Sequence, residues 1–166
     1  MKILMVFQTS PYPPDLGPAK RNTPFFLENL KRHDVSVLSI GTPEEERKFR
    51  EKYSARCKRI VFVDNARPRI FNLLLRVWNL ITGHNSARWL YNRRFARVLQ
   101  QLTSSEEFDL IHCCTPLFGY YQLPKNVPLV GDAHNVAYDF FLRMYQQSKS
   151  PLAKPYLYMD YLHMKR

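Results

Sequence analysis

The segment Asp-Ala-His-Asn at 132–135 carries side chains well suited to binding and catalysis, and it follows directly on the apolar run Val-Pro-Leu-Val. Polar side chains just after a strand lie at the carboxyl edge of a parallel sheet, where ligands bind. A neutral imidazole at His134 can donate or accept one hydrogen bond, and the amide of Asn135 can do both. The pair therefore suits a hydroxyl-bearing ligand. The alternative is that Asp132 or Asn135 caps the next helix and His134 only packs against it.

The loop Gln8–Arg21 is a second candidate, because it follows the apolar run Lys2–Phe7 and holds four prolines and a single glycine, Gly17. A residue without a Cβ lets a ligand approach the backbone closely. Lys20 and Arg21 fall in the first turn of the following helix, whose unpaired N–H groups favour an anion. The segment Gly-Pro-Ala-Lys lacks the repeated glycines of a dinucleotide-binding motif, so an ordinary strand-to-helix connection remains the alternative.

His112, Cys113 and Cys114 form a third group, in the segment Ile-His-Cys-Cys-Thr-Pro. Together with His134 they raise the possibility of a zinc site. Adjacent cysteines in a strand point to opposite faces, however, and their spacing fits no common metal motif. We therefore expect core cysteines, a packed histidine and no bound metal.

The segment between Asn65 and Ser105 contains arginine but no Asp, Glu or Lys. Such a surface suits an anionic partner, and we consider three interpretations: a solvated helix face, contact with acidic lipid or a phosphate-bearing acceptor, and nucleic acid. The last has only net charge in its favour, because no helix-turn-helix, zinc-finger or RNP-like motif is present. The predicted membrane or acceptor patch consists of Arg69, Arg76, Arg88, Arg93 and Arg94.

Composition agrees with a folded, basic chain. Its 166 residues are 45% hydrophobic and carry a net charge of +11, which suits one domain with a substantial core. The longest apolar run, Ile70–Ile81, is too short to span a bilayer and contains Arg76. Three cysteines without regular spacing indicate a reducing compartment, and we expect a cytoplasmic protein.

Short apolar runs alternate with amphipathic segments along the chain, which predicts an α/β fold. We expect a Rossmann-like three-layer sandwich with a mostly parallel sheet, whose ligand loops are Gln8–Arg21, His112–Phe118 and Gly131–Tyr138. The predicted strands are Lys2–Phe7, Asp34–Ile40, Arg59–Asp64, Phe108–Cys114 and a fifth within Val127–Asn135. The predicted helices start near Pro18 and Pro43, cover Arg69–Thr82 and Ser86–Leu102, and continue after Asn135.

Taken in order, several stretches resemble the N-terminal domain of family-4 glycosyltransferases with the GT-B fold. They are the first strand, the Pro-Pro-Asp turn leading to Gly17, HDVSVLSI, a basic helical middle, FDLIHCCTPL and VPLVGDAHNVAYDF. The resemblance covers essentially the whole chain. It implies a retaining enzyme that moves a sugar from a nucleotide-sugar donor to a glycan or lipid-linked acceptor. It further implies no metal and no cofactor beyond that donor.

The resemblance also implies roles for individual residues. Gly17 would lie near the donor diphosphate, and the catalytic His134 would lie with Asn135 near the transferred sugar. The family usually has two glycines in the first loop. Pro18 replaces the second one here, which removes a backbone N–H from contact with phosphate. The implied substrate-binding set is Gly17, Lys20, Arg21, His112, Asp132, Asn135 and Tyr138.

On this interpretation, residues 1–166 form a single Rossmann-like N-terminal domain and the C-terminal nucleotide-binding domain is absent. We expect the chain to be inactive alone, because a cleft with one wall neither excludes water nor holds both substrates together. The whole enzyme would act in polysaccharide biosynthesis in the cytoplasm, at the inner membrane face. The alternative is a non-enzymatic, flavodoxin-like basic module that binds nucleic acid or another polyanion.

Overall fold

The computed structural model describes residues 1–15, 17–64, 78, 91–114, 121–132, 137–151 and 153–165. The chain forms two compact units, Met1–Ala66 with Asn92–Ala133, and Arg67–Tyr91 with His134–Arg166. The interpretation of residues 1–166 as one domain stays a prediction.

The first unit is built on a sheet of five strands: β1 (Lys2–Phe7), β2 (Asp34–Ile40), β3 (Arg59–Val63), β4 (Leu110–Cys113) and β5 (Leu129–Gly131). Their order is β3-β2-β1-β4-β5, and every neighbouring pair is parallel. This confirms the predicted Rossmann-like α/β fold. Strands β1 and β2 have the predicted bounds, β3 and β4 are shorter than predicted, and β5 lies within the predicted segment Val127–Asn135.

Helices cover both faces of this sheet. On one face, Met5, Val37 and Ile60 pack with Phe26 of α1 (Gly17–Arg32) and Phe49 of α2 (Pro43–Tyr53). On the other, Leu4, Leu38 and Ile111 pack with Leu99 of α3 (Arg93–Ser105). Because successive side chains of a strand point to opposite faces, the continuous apolar runs predicted from the sequence supply both halves of the core.

The helix starts follow from capping chemistry. Thr42 accepts a hydrogen bond from the N–H of Glu45, whose carboxylate accepts in return from the N–H of Thr42 at 2.6 Å. This capping box and Pro43 in the first turn confirm the predicted start of α2. Helix α3 begins at Arg93 rather than at the predicted Ser86, because Asn92 accepts from the N–H groups of Arg94 and Phe95. Asn92 is thus the N-cap.

Helix α1 begins close to the predicted Pro18 and contains Pro24 in its interior. The hydroxyl of Thr23 donates to the Ala19 carbonyl at 2.7 Å and also contacts the Pro11 carbonyl. That second contact connects the helix to the proline-rich loop before it.

The second unit contains α4 (Ala137–Gln147) and α5 (Ala153–Lys165). Aromatic rings join the two helices, with the centroids of Tyr145 and Tyr158 5.2 Å apart. Among the described residues, no helix combines the length and the apolar character needed to cross a membrane. The predicted helix Arg69–Thr82 lies almost entirely outside the described residues.

Candidate ligand-binding edge of the sheet

The strand order produces a topological switch point at the carboxyl ends of the strands in the first unit. Strands β2 and β3 are added on one side of β1, and strands β4 and β5 are added on its other side. Loops therefore diverge between β1 and β4, which is where ligands bind in open α/β sheets. Helix α1 begins directly beyond β1 at this edge, with Gly17 as its first residue.

Arg21 and Asp132 connect two of the predicted ligand loops. The Nη2 atom of Arg21 lies 3.2 Å from Oδ1 of Asp132, a residue 111 positions further along the chain. The N–H of Asp132 donates to the Cys113 carbonyl at 2.8 Å, which extends the β4–β5 pairing past Gly131. The ion pair thus holds the first turns of α1 beside the segment that leads to 133–136.

His112 lies in β4 and contacts Phe25, one turn after Arg21 in α1. It is aligned with Met5 and Val130 in the neighbouring strands, and its ring centroid is 6.5 Å from that of Phe25 in an edge-to-face arrangement. Burial lowers the pKa of His112 below its ordinary value of 6.5, and the negative charge of Asp132 partly opposes this shift. The imidazole is therefore neutral at pH 7 and can act as both donor and acceptor.

Arg21, Phe25, His112 and Asp132 together form what we call the edge cluster. Arg21 and Phe25 are four residues apart, hence on one side of α1, and they meet Asp132 and His112 respectively. The sequence predicted Arg21, His112 and Asp132 as site residues, and the fold brings these three together. Phe25 was not predicted as a site residue, because an aromatic side chain on an amphipathic helix usually belongs to the core. In the structure it is 49% exposed.

Gly17 and Lys20 are exposed at the start of α1. A Cβ built on Gly17 would meet no atom within 4 Å, so neither steric crowding nor backbone conformation requires glycine there. The space beside Gly17 is open, as a ligand-binding backbone position needs to be.

The remaining predicted site residues are distributed differently. His134 and Asn135 lie outside the described residues, so their roles stay predictions. Tyr138 is in α4 of the second unit and is 44% exposed. Of the predicted patch, Arg93 and Arg94 are exposed at the start of α3, and the others, Arg69, Arg76 and Arg88, lie outside the described part of the chain.

Cys113 and Cys114 are buried core residues, and Cys57 is partly buried against the core. Burial raises the pKa of Cys57 to about 11 and that of Cys113 to about 12, and it raises the pKa of Cys114 as well. Thiols with such values are protonated at neutral pH and are poor nucleophiles. No group of three or more His, Cys, Asp or Glu residues that could hold a metal ion occurs in the described ranges.

Asn22 is a polar residue that sequence reasoning missed. It belongs to the sheet-facing stripe of α1, with Ala19, Phe26 and Leu30, and is 2% exposed. Its Oδ1 atom is buried and has no hydrogen-bond partner among the described residues. An asparagine on an otherwise apolar helical stripe is the sequence signal that points to it.

Comparisons with known proteins add no relative: no protein-family model, curated protein or solved structure matches this chain.

Proposed function

We propose that this chain is the acceptor-side domain of a retaining glycosyltransferase of the GT-B type, which moves a sugar from a nucleotide-sugar to a glycan or lipid-linked acceptor. The motif order along the sequence suggests this function. The observation that supports it most is the Arg21–Asp132 contact of 3.2 Å, because it holds the Gly17 loop next to the segment that continues into His134 and Asn135. These are the two segments that such a transferase would use on this side of its cleft.

In the proposed reaction, the N–H groups at the start of α1 and the charges of Lys20 and Arg21 face the donor diphosphate. His134 and Asn135 hydrogen-bond the transferred sugar, and His134 stabilises charge that develops at the anomeric carbon. The bond between the anomeric carbon and the donor phosphate breaks, and the acceptor oxygen forms the new glycosidic bond to that carbon. The departing nucleoside diphosphate accepts the proton of the acceptor hydroxyl. His112, half-buried and neutral, contributes a hydrogen bond at the floor of the site.

The test is transfer of a labelled sugar by the protein at its natural length, with His134→Ala compared with His33→Ala. His33 follows α1 and directly precedes β2, at the amino ends of the strands, away from the candidate site. His33→Ala is therefore the control, since it also removes one imidazole. We expect His134→Ala to lower kcat by about 100-fold or more, as loss of a transition-state hydrogen bond does, with an unchanged melting temperature. Equal activity of both variants would remove His134 from the reaction.

A specific observation also supports contact with a polyanion. Three of the four basic residues of α2 are paired with glutamates, as in Arg47–Glu51 at 2.6 Å and Lys48–Glu44 at 2.8 Å. By contrast, none of the three exposed arginines of α3 has an ion pair with any described residue. We propose that this face, Arg93, Arg94 and Arg97, meets an anionic lipid surface and so places the enzyme at the inner face of the membrane. Nucleic-acid binding by a non-enzymatic module is the alternative.

A further inference from the structure

We infer that a pocket between the β1–α1 loop and the start of α2 binds a sugar ring that is uncharged or carries an amine, and discriminates against anionic sugars. The pocket has a volume of about 240 Å³ and lies at the carboxyl ends of β1 and β2. This volume is below the roughly 300–1,000 Å³ of sites that hold drug-sized ligands, so it suits a single ring. The residues that carry the argument and line the pocket are Thr9, Asp15, Ala19, Glu44, Glu45 and Lys48.

Two polar groups in this pocket are available to a ligand. The Thr9 hydroxyl and the Asp15 carboxylate have no side-chain hydrogen bond or ion pair with any described residue. The Ser10 hydroxyl, in contrast, donates to the Tyr12 carbonyl at 2.6 Å, and the Thr42 hydroxyl accepts from the N–H of Glu45. Asp15 therefore offers an acceptor and Thr9 a donor and an acceptor, which match the hydroxyl groups of a sugar.

The charge of the pocket selects against anions. Asp15, Glu44 and Glu45 contribute three carboxylates, and Lys48 contributes one ammonium group. The hydrogen bond and charge of Glu44 raise the pKa of Lys48, so this side chain is charged at neutral pH. A chain with a net charge of +11 thus has a locally acidic pocket, which attracts an amine and repels a carboxylate or phosphate.

The pocket adjoins the candidate site without being part of the edge cluster. Ala19 and Asp15 form part of its wall, and Gly17 lies between them in the sequence at the start of α1. Under the proposed function, on which this step rests, the bound ring is the acceptor's own sugar. Its binding can nevertheless be measured without any transfer reaction.

The experiment is an NMR titration of the ¹⁵N-labelled 166-residue chain with glucose, glucosamine and glucuronate. A single ring that makes a few hydrogen bonds binds weakly, with a Kd on the order of 1–10 mM. We expect the amide signals of Thr9, Asp15 and Ala19 to shift, glucosamine to bind severalfold more tightly than glucose, and glucuronate not to bind. Asp15→Asn should remove the preference for glucosamine, and Thr9→Val should weaken both sugars. Asp34→Asn is the matched control, because it removes one carboxylate at the amino end of β2, away from the pocket.

Three outcomes would overturn the inference: glucuronate binding as tightly as glucosamine, an unchanged preference in Asp15→Asn, or no shift with either glucose or glucosamine. The result is separable from the proposed function. Sugar-dependent shifts in a protein that at its natural length transfers no sugar would support the pocket and contradict the transferase. Transfer without any shift at Thr9 or Asp15 would contradict the pocket alone.

Discussion

Arg21 and Asp132 are 111 residues apart in sequence, yet their side chains meet at 3.2 Å across the carboxyl edge of the sheet. The Asp132 side chain is only 18% exposed, whereas that of Arg21 is 48% exposed. The contact therefore connects a partly buried carboxylate, next to the end of β5, to a helix that starts beyond β1. It links the two loops to which we assign sugar handling under the proposed function.

Arg21→Ala should lower the free energy of unfolding by less than about 1 kcal/mol, because a partly exposed ion pair contributes little to stability. The adjacent Lys20→Ala is the matched control, since Lys20 is exposed and has no ion pair among the described residues. Urea unfolding of both variants measures the difference. Equal losses would show that the Arg21–Asp132 pair does not stabilise the edge.

His112 should make stability depend on pH in a defined direction. Its pKa is lowered in the folded chain, so the unfolded chain binds a proton first as the pH falls below 6.5. Stability is then complete above pH 6.5 and decreases as the pH falls towards the lowered pKa. We expect His112→Gln to reduce the loss of unfolding free energy between pH 7.5 and pH 5, as measured by urea unfolding at each pH.

The charge of Asp132 provides a second test, because it raises the pKa of His112 while burial lowers it. Asp132→Asn should therefore lower the pKa of His112 further in an NMR titration of its ring protons. A higher pKa in Asp132→Asn, or an unaltered pH dependence in His112→Gln, would be inconsistent with the described geometry.

Asn22→Leu should stabilise the fold. Its buried Oδ1 has no partner in the described part of the chain, and an unsatisfied buried acceptor costs about 1–3 kcal/mol. We expect a gain of about 1 kcal/mol in unfolding free energy, since leucine also suits the apolar stripe. Asn29→Leu on the same helix is the control, because the Asn29 amide donates to the Phe25 carbonyl at 2.8 Å. A loss of stability in Asn22→Leu would indicate that Asn22 is satisfied by bound water.

The arginines of α3, which have no ion pair with any residue that the structure describes, should govern membrane contact. Replacing Arg94 and Arg97 with glutamine removes two charges, each contributing about 1 kcal/mol near an acidic lipid surface, so binding should weaken about tenfold or more. Arg47→Gln with Arg50→Gln removes the same charge from α2, where both arginines are paired, and should have a smaller effect. Co-sedimentation with vesicles of increasing anionic lipid content measures both variants.

Indifference to anionic lipid would dismiss the membrane proposal. If the same arginines instead determined a nucleic-acid affinity that falls steeply with salt, the alternative of a basic binding module would be favoured.

Local patterns in the sequence predicted much of the fold. Continuous apolar runs predicted β1 and β2 with their observed bounds, and Thr42, Pro43 and three glutamates predicted the start of α2. The start of α3 was predicted seven residues too early, because Asn92 has to be recognised as a cap before the boundary can be set. A helix N-cap depends on one side chain, but several polar residues in this segment are of types that can act as an N-cap, so the sequence does not single out Asn92.

The candidate site also contains residues that the sequence predicted and residues that only the structure revealed. Residue types and their positions after strands identified Arg21, His112 and Asp132 from the sequence. Phe25, Asn22, Thr9 and Asp15 were not identified, because their importance depends on what lies opposite them. The exposure of Phe25 beside His112 and the burial of Asn22 without a partner are properties of packed elements.

The sequence by itself determined the class of fold and the edge of the sheet at which to look, because strand and helix periodicity and the end of each strand are local properties of the chain. Only the tertiary structure decided that Arg21 meets Asp132, that His112 is held neutral, and that an acidic pocket opens beside Gly17 in a basic protein. The physical reason is that ion pairing, burial and pocket shape depend on distances between residues far apart in sequence. Those distances are set when the helices pack on the sheet.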